Sequence, residues 1–321
     1  WIYMGKFTLK MEISMKNSAW IFPGQGSQKI GMGKDLYDQT ELGKSYFNLA
    51  NEVMEYDLKK IIFEGPDEVL KKTEYTQPAI YLISFILGKI LQDRIENPII
   101  SAGHSLGEFS ALAIANAFNF EDGLSLVKIR SKSMAKAGLI EKGAMAVIIG
   151  LEHQLIEKIC EDYKGNGIVV TANYNSKNQT VISGSQFAVE SVIKKSKNAG
   201  AKLTSMLNVS GAFHSPLMRP AREKLAEVIN SIQISDVNYP IIANVNLKKV
   251  KNAQDIKYSM LEQLENPVLW HQSILKMKNY GVDCFIEIGP GKVLQGLNKR
   301  IDRSIPCLSI NSLSNIKSFN V

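Results

Sequence analysis

The chain has 321 residues, of which 45% are hydrophobic, enough to bury the core of one large domain or two smaller ones. Its formal net charge of +7 favours an acidic partner, but the lysines are dispersed among carboxylates, which argues against nucleic-acid binding. No apolar run approaches the roughly 18 residues that cross a bilayer, so we expect no association with a membrane.

Three cysteines, Cys160, Cys284 and Cys307, have none of the close spacing of metal or redox motifs. We therefore expect reduced thiols in a cytoplasmic protein. Residues 1–14 lack the apolar core and cleavage site of a secretory signal, and Met15 leads directly into an apolar run. We interpret 1–14 as a vector-derived or disordered extension outside the fold.

Strand and helix patterns alternate along the first part of the chain. Residues 19–22 predict a buried strand, and the glycine-rich turn 23–28 follows with exposed backbone amides. Helical periodicity covers 42–54, 66–72 and 77–95, with Pro78 suited to a first turn. A second strand at 99–102 is broken by Gly103, and helices at 108–117 and 122–137 come next, the latter with Asp122 as its N-cap.

The middle of the chain changes to short elements in the order β-α-β-β-α-β, typical of a ferredoxin-like unit. The predicted elements cover 144–151, 152–163, 168–175, 179–183, 186–198 and 201–209. We expect a small ferredoxin-like subdomain at 143–209, inserted into a large α/β subdomain formed by 15–142 and 210–321. In the latter, helices at 218–232, 273–280 and 292–300 and strands at 239–245 and 284–288 favour a largely parallel sheet.

The sequence Gly103-His-Ser-Leu-Gly107 has the form G-x-S-x-G and lies between a predicted strand and a predicted helix. A nucleophile elbow requires this context, because the two glycines let strand and helix approach closely around a strained turn. The turn presents the Ser105 hydroxyl at a helix N-terminus, where the helix dipole favours developing negative charge. The alternative is a strand-to-helix connector that uses glycine only for clearance.

A nucleophilic serine needs a base, and the chain has four histidines. We expect His104 to point away from the serine, and His153 and His271 to be surface groups. His214 lies in a loop among small residues that permit close approach, and catalytic groups often lie in such loops. His214 is therefore the candidate base, and a loop histidine without function is the alternative.

An oxyanion hole needs two donors aimed at one point. The amide of Leu106, directly after the nucleophile, is the usual first donor, and the amide of Gln25 in the glycine-rich turn could be the second. A phosphate cradle is the alternative for this turn, but the Lys-Ser/Thr ending of a P-loop is missing.

Five separated segments together resemble the malonyl-CoA:acyl carrier protein transacylases of fatty acid synthesis. They are Phe22-Pro-Gly-Gln-Gly-Ser-Gln28, Gly103-His-Ser-Leu-Gly-Glu108, Gly211-Ala-Phe-His-Ser215, Asn266-Pro-Val268 and Glu287-Ile-Gly-Pro-Gly-Lys-Val293. The resemblance implies an α/β-hydrolase-like large subdomain with a ferredoxin-like insert. It also implies a ping-pong cycle in which Ser105 takes malonyl from coenzyme A and the phosphopantetheine thiol of an acidic acyl carrier protein collects it. No metal, nucleotide or redox cofactor is expected, and we expect a monomer.

The resemblance also implies roles for residues that the pattern alone would not single out. Arg130 matches the arginine that grips the malonyl carboxylate, although an arginine on an amphipathic helix is usually a solvated surface group. Gln25 and Asn175 match further pocket positions, and Phe213 matches a bulky residue that would exclude a branched methylmalonyl group.

In the family the catalytic histidine is oriented by a backbone carbonyl instead of an aspartate. The resemblance places that carbonyl in the segment Asn266-Pro-Val-Leu-Trp270, near Leu269.

Three other functions share parts of this pattern. A serine hydrolase or thioesterase would release the acyl group to water, but an esterase for neutral acyl groups has no use for Arg130 in its pocket. A discrete polyketide-type acyltransferase would use the same chemistry for another carrier. A non-catalytic module that binds carrier proteins would not need Ser105, His214 and Arg130 intact.

Overall fold

The computed structural model describes residues 16–318, so the interpretation of 1–14 as an extension concerns residues outside that range. None of the helices in this range is both long and apolar enough to traverse a lipid bilayer.

Within residues 16–318, ten strands form two separate sheets. The strands are β1 Ser18–Phe22, β2 Ile100–Gly103, β3 Gly143–Ile149, β4 Val169–Ser176, β5 Gln179–Ser185, β6 Leu203–Met206, β7 Ile241–Ile242, β8 Lys249–Val250, β9 Cys284–Ile288 and β10 Cys307–Ile310.

In the described part of the chain, fourteen α-helices surround the sheets, with one 3-10 turn at Pro216–Met218. The helices are α1 Lys34–Gln39, α2 Glu41–Met54, α3 Leu58–Glu64, α4 Asp67–Leu70, α5 Thr73–Gln92, α6 Leu106–Ile114, α7 Phe120–Ile140, α8 His153–Glu161, α9 Gln186–Asn198, α10 Arg219–Ser231, α11 Ala253–Glu262, α12 Trp270–Asn279, α13 Val293–Ile301 and α14 Leu313–Ser318.

The larger sheet has the strand order β10-β9-β1-β2-β7-β8 and is parallel except for the β7–β8 pair. Its central strand β1 is buried along its whole length, because helices cover both faces of the sheet. Trp20 and Phe22 pack with α5, α6 and α7 on one face, whereas Ala19 and Ile21 pack with α12 and α13 on the other. The structure confirms the predicted α/β fold with a largely parallel sheet.

The smaller sheet has the order β4-β5-β3-β6, and every neighbouring pair is antiparallel. The predicted β-α-β-β-α-β order is confirmed, and α8 and α9 pack on one face of this sheet. Met145, Ala172 and Val181 on its other face join the core of the larger sheet. The backbone also links the two parts, since the amide of Tyr174 donates to the carbonyl of Val268 at 2.9 Å.

Helices α5, α6, α7 and α12 begin earlier than the sequence predicts, and for α7 and α5 the earlier start changes the role of a named residue. Helix α7 begins at Phe120, and its N-cap is Asn119, whose side chain accepts from the amide of Asp122 at 2.7 Å. Helix α5 begins at Thr73, so Pro78 lies inside the helix and not in its first turn. A proline cannot donate to the carbonyl four residues earlier, and the Tyr56 hydroxyl instead donates to that Glu74 carbonyl at 3.4 Å.

Other differences concern the extent or the presence of an element. The strand predicted at 239–245 narrows to β7, because only Ile241 pairs with β2 on the inner side. Six elements were not predicted from the sequence: α1, α3, α11, α14, β8 and β10.

Candidate active site

Ser105 lies in a strained turn between β2 and α6. Its φ of 53° and ψ of −108° are rare for a residue with a Cβ. Close packing enforces the turn: a Cβ on Gly103 would lie 1.9 Å from the carbonyl carbon of Gly107, and a Cβ on Gly107 would lie 2.0 Å from the carbonyl oxygen of Phe22. The geometry is that of a nucleophile elbow, with the hydroxyl held at the N-terminus of α6.

Two amide side chains from distant segments hold the backbone of this turn. Asn244 accepts from the amide of Ser105 at 2.8 Å and donates to the carbonyl of Gly103 at 2.7 Å. Gln263 donates to the carbonyl of Ser105 at 3.0 Å. Neither residue was found from the sequence, because both follow the elbow by more than a hundred residues and only the fold brings them together.

His214 meets Ser105 through its Nε2, which lies 2.8 Å from the serine Oγ. Its Nδ1 lies 2.8 Å from the carbonyl oxygen of Gln263 and 3.2 Å from that of Asn266. A carbonyl only accepts, so Nδ1 carries the proton and the lone pair of Nε2 faces the serine hydroxyl. Burial, together with the charge of Arg130, lowers the pKa of His214 to about 3 and keeps it neutral.

Of the carbonyls that face His214 Nδ1, the nearer one, of Gln263, lies outside the expected segment, the farther one, of Asn266, lies inside it, and that of Leu269 is not involved. The Leu269 carbonyl accepts from the amide and the hydroxyl of Ser273 at 2.9 and 2.8 Å, where α12 begins. Gln263 is the C-terminal cap of α11, and the last carbonyls of a helix have no partner within it. His214 uses one of these carbonyls, and its position could not be inferred without predicting α11.

The described residues contain no cluster of side chains that could hold a metal ion.

The other three histidines do not contact the Ser105 hydroxyl. His104 Nε2 lies 2.8 Å from Asn175 Oδ1. The expectation that His153 is a surface group was wrong: it is buried, and its Nδ1 lies 2.7 Å from Thr180 Oγ1, because the first turn of α8 packs on β5. The ring of half-buried His271 lies 5.5 Å from that of His153.

Arg130 projects from α7 to the nucleophile and is fully buried, not solvated. Its Nη2 donates to Ser105 Oγ at 3.0 Å and to Gln263 Oε1 at 2.9 Å, and its Nη1 donates to Gln77 Oε1 at 2.6 Å. The guanidinium lies 5.2 Å from the ring centroid of Phe109. Its Nε is buried without a partner among the described residues.

Arg130 therefore brings a positive charge into the site without a carboxylate in direct contact. No ion pair within residues 16–318 includes it. Burial lowers the pKa of Arg130 to about 9, opposed by the more distant Glu108, so the side chain stays charged at neutral pH. A buried charge is costly unless it is paired, and a guanidinium pairs best with a carboxylate. The site is suited to a ligand that carries a carboxylate beside its reacting carbon.

A cavity of about 110 Å³ surrounds Ser105. Its lining includes Gln25, Leu106 and Phe213, as expected, together with Gln77, His104, Met134, Met145, Asn173, Leu207 and Val209. Asn175 is not in this lining, because its side chain is turned to His104, and Asn173 on the same strand lines the cavity instead. Met145 and Asn173 come from the smaller sheet, so both sheets form the site.

A second cavity of about 260 Å³ adjoins the first and shares Val209 with it. Its lining includes two lysines and two glutamates, Lys71, Lys72, Glu68 and Glu74, together with Leu139. Gln25 Nε2 donates to Thr73 Oγ1 at 3.3 Å at the junction of the two. Ser105 is thus connected to a groove lined by charged and apolar residues.

Comparisons with known proteins agree with this geometry. A family model described as acyl transferase domain matches residues 19–314. The malonyl CoA-acyl carrier protein transacylase of Bacillus subtilis (strain 168) is 41% identical over 304 residues, which cover 94% of this chain and 96% of the relative.

Two solved structures have the same fold. The malonyl CoA-acyl carrier protein transacylase of Coxiella burnetii superposes with a TM-score of 0.91 at 38% identity, over 94% of this chain and 96% of that one. A malonyl-transacylase in complex with its type II PKS acyl-carrier protein gives a TM-score of 0.90 at 38% identity, over 94% and 98% of the two chains.

Proposed function

The chain belongs to the malonyl CoA-acyl carrier protein transacylases, and on that premise we propose that it transfers malonyl from coenzyme A to the phosphopantetheine thiol of an acyl carrier protein. The acyl group is carried as an ester of Ser105, and the product supplies fatty acid biosynthesis. The observation that carries the proposal is the buried Arg130 guanidinium, 3.0 Å from the serine Oγ and without a carboxylate partner.

In the first half of the cycle, Ser105 Oγ attacks the thioester carbonyl while His214 Nε2 takes its proton. The tetrahedral oxyanion is held by the amides of Gln25 and Leu106, both of which line the cavity. The carbon–sulfur bond then breaks, and His214 returns the proton to the departing thiolate of coenzyme A.

The second half reverses these steps with a different thiol. His214 takes the proton of the phosphopantetheine thiol, the sulfur attacks the ester, and Ser105 regains its proton as the carbon–oxygen bond breaks. Because a thioester is exchanged for a thioester, the cycle is close to balanced in energy and needs no metal, nucleotide or redox cofactor.

Malonyl is selected by charge and by shape. The carboxylate of a malonyl ester on Ser105 would reach the free donors of Arg130 and neutralise a buried cation, whereas acetyl would leave it unpaired. Phe213, buried beside the base, would crowd a branched methylmalonyl group.

The carrier protein would approach along the groove beside Lys71, Lys72 and Leu139. Both lysines are exposed, and Leu139 is 86% exposed, which suits a partner with acidic and apolar contacts. A polyketide-type role uses the same chemistry, and the similarity to the malonyl-transacylase seen with a type II PKS acyl-carrier protein keeps that alternative open.

The remaining parts of the proposal concern the whole chain. We propose 143–209 as the bounds of the smaller subdomain, supported by β3 to β6 lying inside them. A monomer in the cytoplasm remains our proposal, and the three free cysteines are consistent with that compartment.

The discharge of isolated malonyl-enzyme tests the proposal against a thioesterase. We expect malonyl to move to holo acyl carrier protein, whereas apo carrier, which lacks the thiol, should leave the ester intact apart from slow hydrolysis. Release of free malonate at one rate with either carrier would show a hydrolase and contradict the proposal.

A further inference from the structure

Glu108 is a buried carboxyl group that the proposed cycle does not use. It lies in the first turn of α6, three residues after the nucleophile, and is 1% exposed. Its Oε2 accepts from the amide of Asn244 at 3.1 Å and from Nε2 of Gln263 at 2.9 Å. Burial raises the pKa of the Glu108 carboxyl to about 7, and these two bonds oppose the rise by favouring the ionised form.

Gln263 connects this carboxyl group to the acyl pocket. Its Nε2 donates to Glu108 and to the Ser105 carbonyl, and its Oε1 accepts from Nη2 of Arg130 at 2.9 Å. The two ends of an amide are not interchangeable, since one only donates and the other only accepts. If the Gln263 amide rotated by half a turn, its NH₂ group would face the donors of Arg130 and its oxygen would face the acceptors on Glu108 and Ser105.

We propose that Glu108 is a positioning residue for substrate selection: by accepting from Gln263 it fixes the orientation of that amide, and the amide oxygen then holds the Arg130 guanidinium against the acyl pocket. Glu108 itself touches neither the substrate nor the reacting atoms. The inference deepens the proposed function and rests on the role given there to Arg130.

A structural role and a positioning role predict different kinetics. Loss of packing would reduce turnover of every acyl-CoA alike. Loss of the Gln263 orientation would release Arg130 and weaken only substrates with a carboxylate, mainly through KM. The informative quantity is therefore the ratio of kcat/KM for malonyl-CoA to kcat/KM for acetyl-CoA.

The experiment compares Glu108→Gln, Glu108→Met and Gln263→Met with the wild type, at constant carrier concentration. Glutamine can still accept from Gln263 through its Oε1, so Glu108→Gln should keep the ratio within about threefold, whereas Glu108→Met should lower it about tenfold or more. Gln263→Met should lower it similarly. In the double variant that combines Glu108→Met with Gln263→Met, the two decreases in the ratio should not multiply, because both substitutions break the same connection.

Glu287→Met is a matched control for the removal of a buried carboxylate. Glu287 is fully buried and accepts from the amides of Leu294 and Gln295 at 3.0 and 2.8 Å, at the start of α13 and outside the cavity lining. This variant should melt at a lower temperature with an unchanged ratio.

An unchanged ratio in folded Glu108→Met would overturn the proposal, as would a Glu108→Gln variant that is as impaired as Glu108→Met. If Glu108→Met does not fold, Gln263→Met decides alone, and an unchanged ratio there overturns the proposal. The Arg130→Ala variant distinguishes failure of the role given to Arg130 from failure of the role given to Glu108. If Arg130→Ala keeps the malonyl preference, the role of Arg130 itself fails; if only Arg130→Ala loses that preference, only the connection through Gln263 fails.

Discussion

At the scale of single residues, the Ser105 hydroxyl lies within hydrogen-bonding distance of both His214 and Arg130, and the donor and acceptor roles of these groups determine where the protons lie. The serine hydroxyl accepts from Arg130 at 3.0 Å, so its own proton points to His214 Nε2 at 2.8 Å. This arrangement requires a neutral histidine. The lowered pKa of His214 provides one: the usual value is 6.5, and burial lowers it to about 3.

We expect His214 to keep its neutral Nδ1–H tautomer down to about pH 5 in the folded protein. In the unfolded chain its pKa is the ordinary 6.5, so below that pH the unfolded chain takes up a proton that the folded protein does not. This residue therefore makes the fold less stable as the pH falls from 6.5 to about 3. Nitrogen NMR of the imidazole, assigned with a His214→Asn variant, measures the protonation state. Titration of the assigned signal near pH 6.5 would contradict the account.

The sequence identified the central side chains of this site better than the residues that hold them in position. Ser105 and His214 could be singled out because a glycine-flanked turn and a small-residue loop are local patterns. The burial of Arg130 is not local, since it depends on the packing of α7 against the elbow. Gln263 and Asn244 gave no signal, because their roles arise only where distant loops meet the strand ends.

At the scale of elements, the connection from β2 to α6 determines where the nucleophile lies. Gly107 abuts the end of β1, so the strand and the helix can approach only without a side chain at this position. The predicted elements on either side were correct to within a few residues, because buried strands and amphipathic helices have clear periods. Strand β8, with two residues, is too short to produce one, and the strand predicted at 239–245 retains only the two residues of β7.

Gly107→Ala should therefore damage both stability and activity. Its Cβ would lie 2.0 Å from the Phe22 carbonyl oxygen, and the forced shift should lower the free energy of unfolding by about 2 kcal/mol and displace Ser105. Urea denaturation and malonyl loading measure the two effects.

Gly296→Ala is the matched control for this substitution. Gly296 lies inside α13, and apart from its chain neighbours and the backbone of its own helix no described atom lies within 4 Å of the position that a Cβ would take there. Alanine should therefore raise stability by up to about 1 kcal/mol and leave loading unchanged. Equal behaviour of the two variants would contradict the close-packed elbow.

At the scale of the whole molecule, the two sheets meet at the acyl pocket and the chain carries a net charge of +7. The backbone bridge between Asn173 and Val268 joins the smaller sheet to the segment before α12, beside the cavity. The groove that leads from the cavity is lined by the exposed Lys71 and Lys72 and also by Glu68 and Glu74, so it is the net positive charge of the whole chain that favours an electrostatically guided encounter with an acidic carrier.

Reversing the charge of Lys71 and Lys72 to glutamate should lower kcat/KM for the carrier about tenfold in dilute buffer, with kcat little changed. The difference from wild type should shrink between about 0.1 and about 1 M salt, as the Debye length falls from about 10 to about 3 Å. Lys248 and Lys249, an exposed pair at the start of the edge strand β8 and outside the groove lining, provide the matched reversal. An equal effect of both pairs would show a response to net charge alone and would contradict a docking groove.

The central claim is that a malonyl group is carried on Ser105 and recognised there by Arg130. Intact-mass measurement after mixing with malonyl-CoA or acetyl-CoA tests it directly. We predict a malonyl adduct on the wild type, little acetyl adduct, none on Ser105→Ala, and a loss of malonyl preference in Arg130→Ala. An adduct that persists in Ser105→Ala, or equal loading of the wild type by both thioesters, would contradict the account.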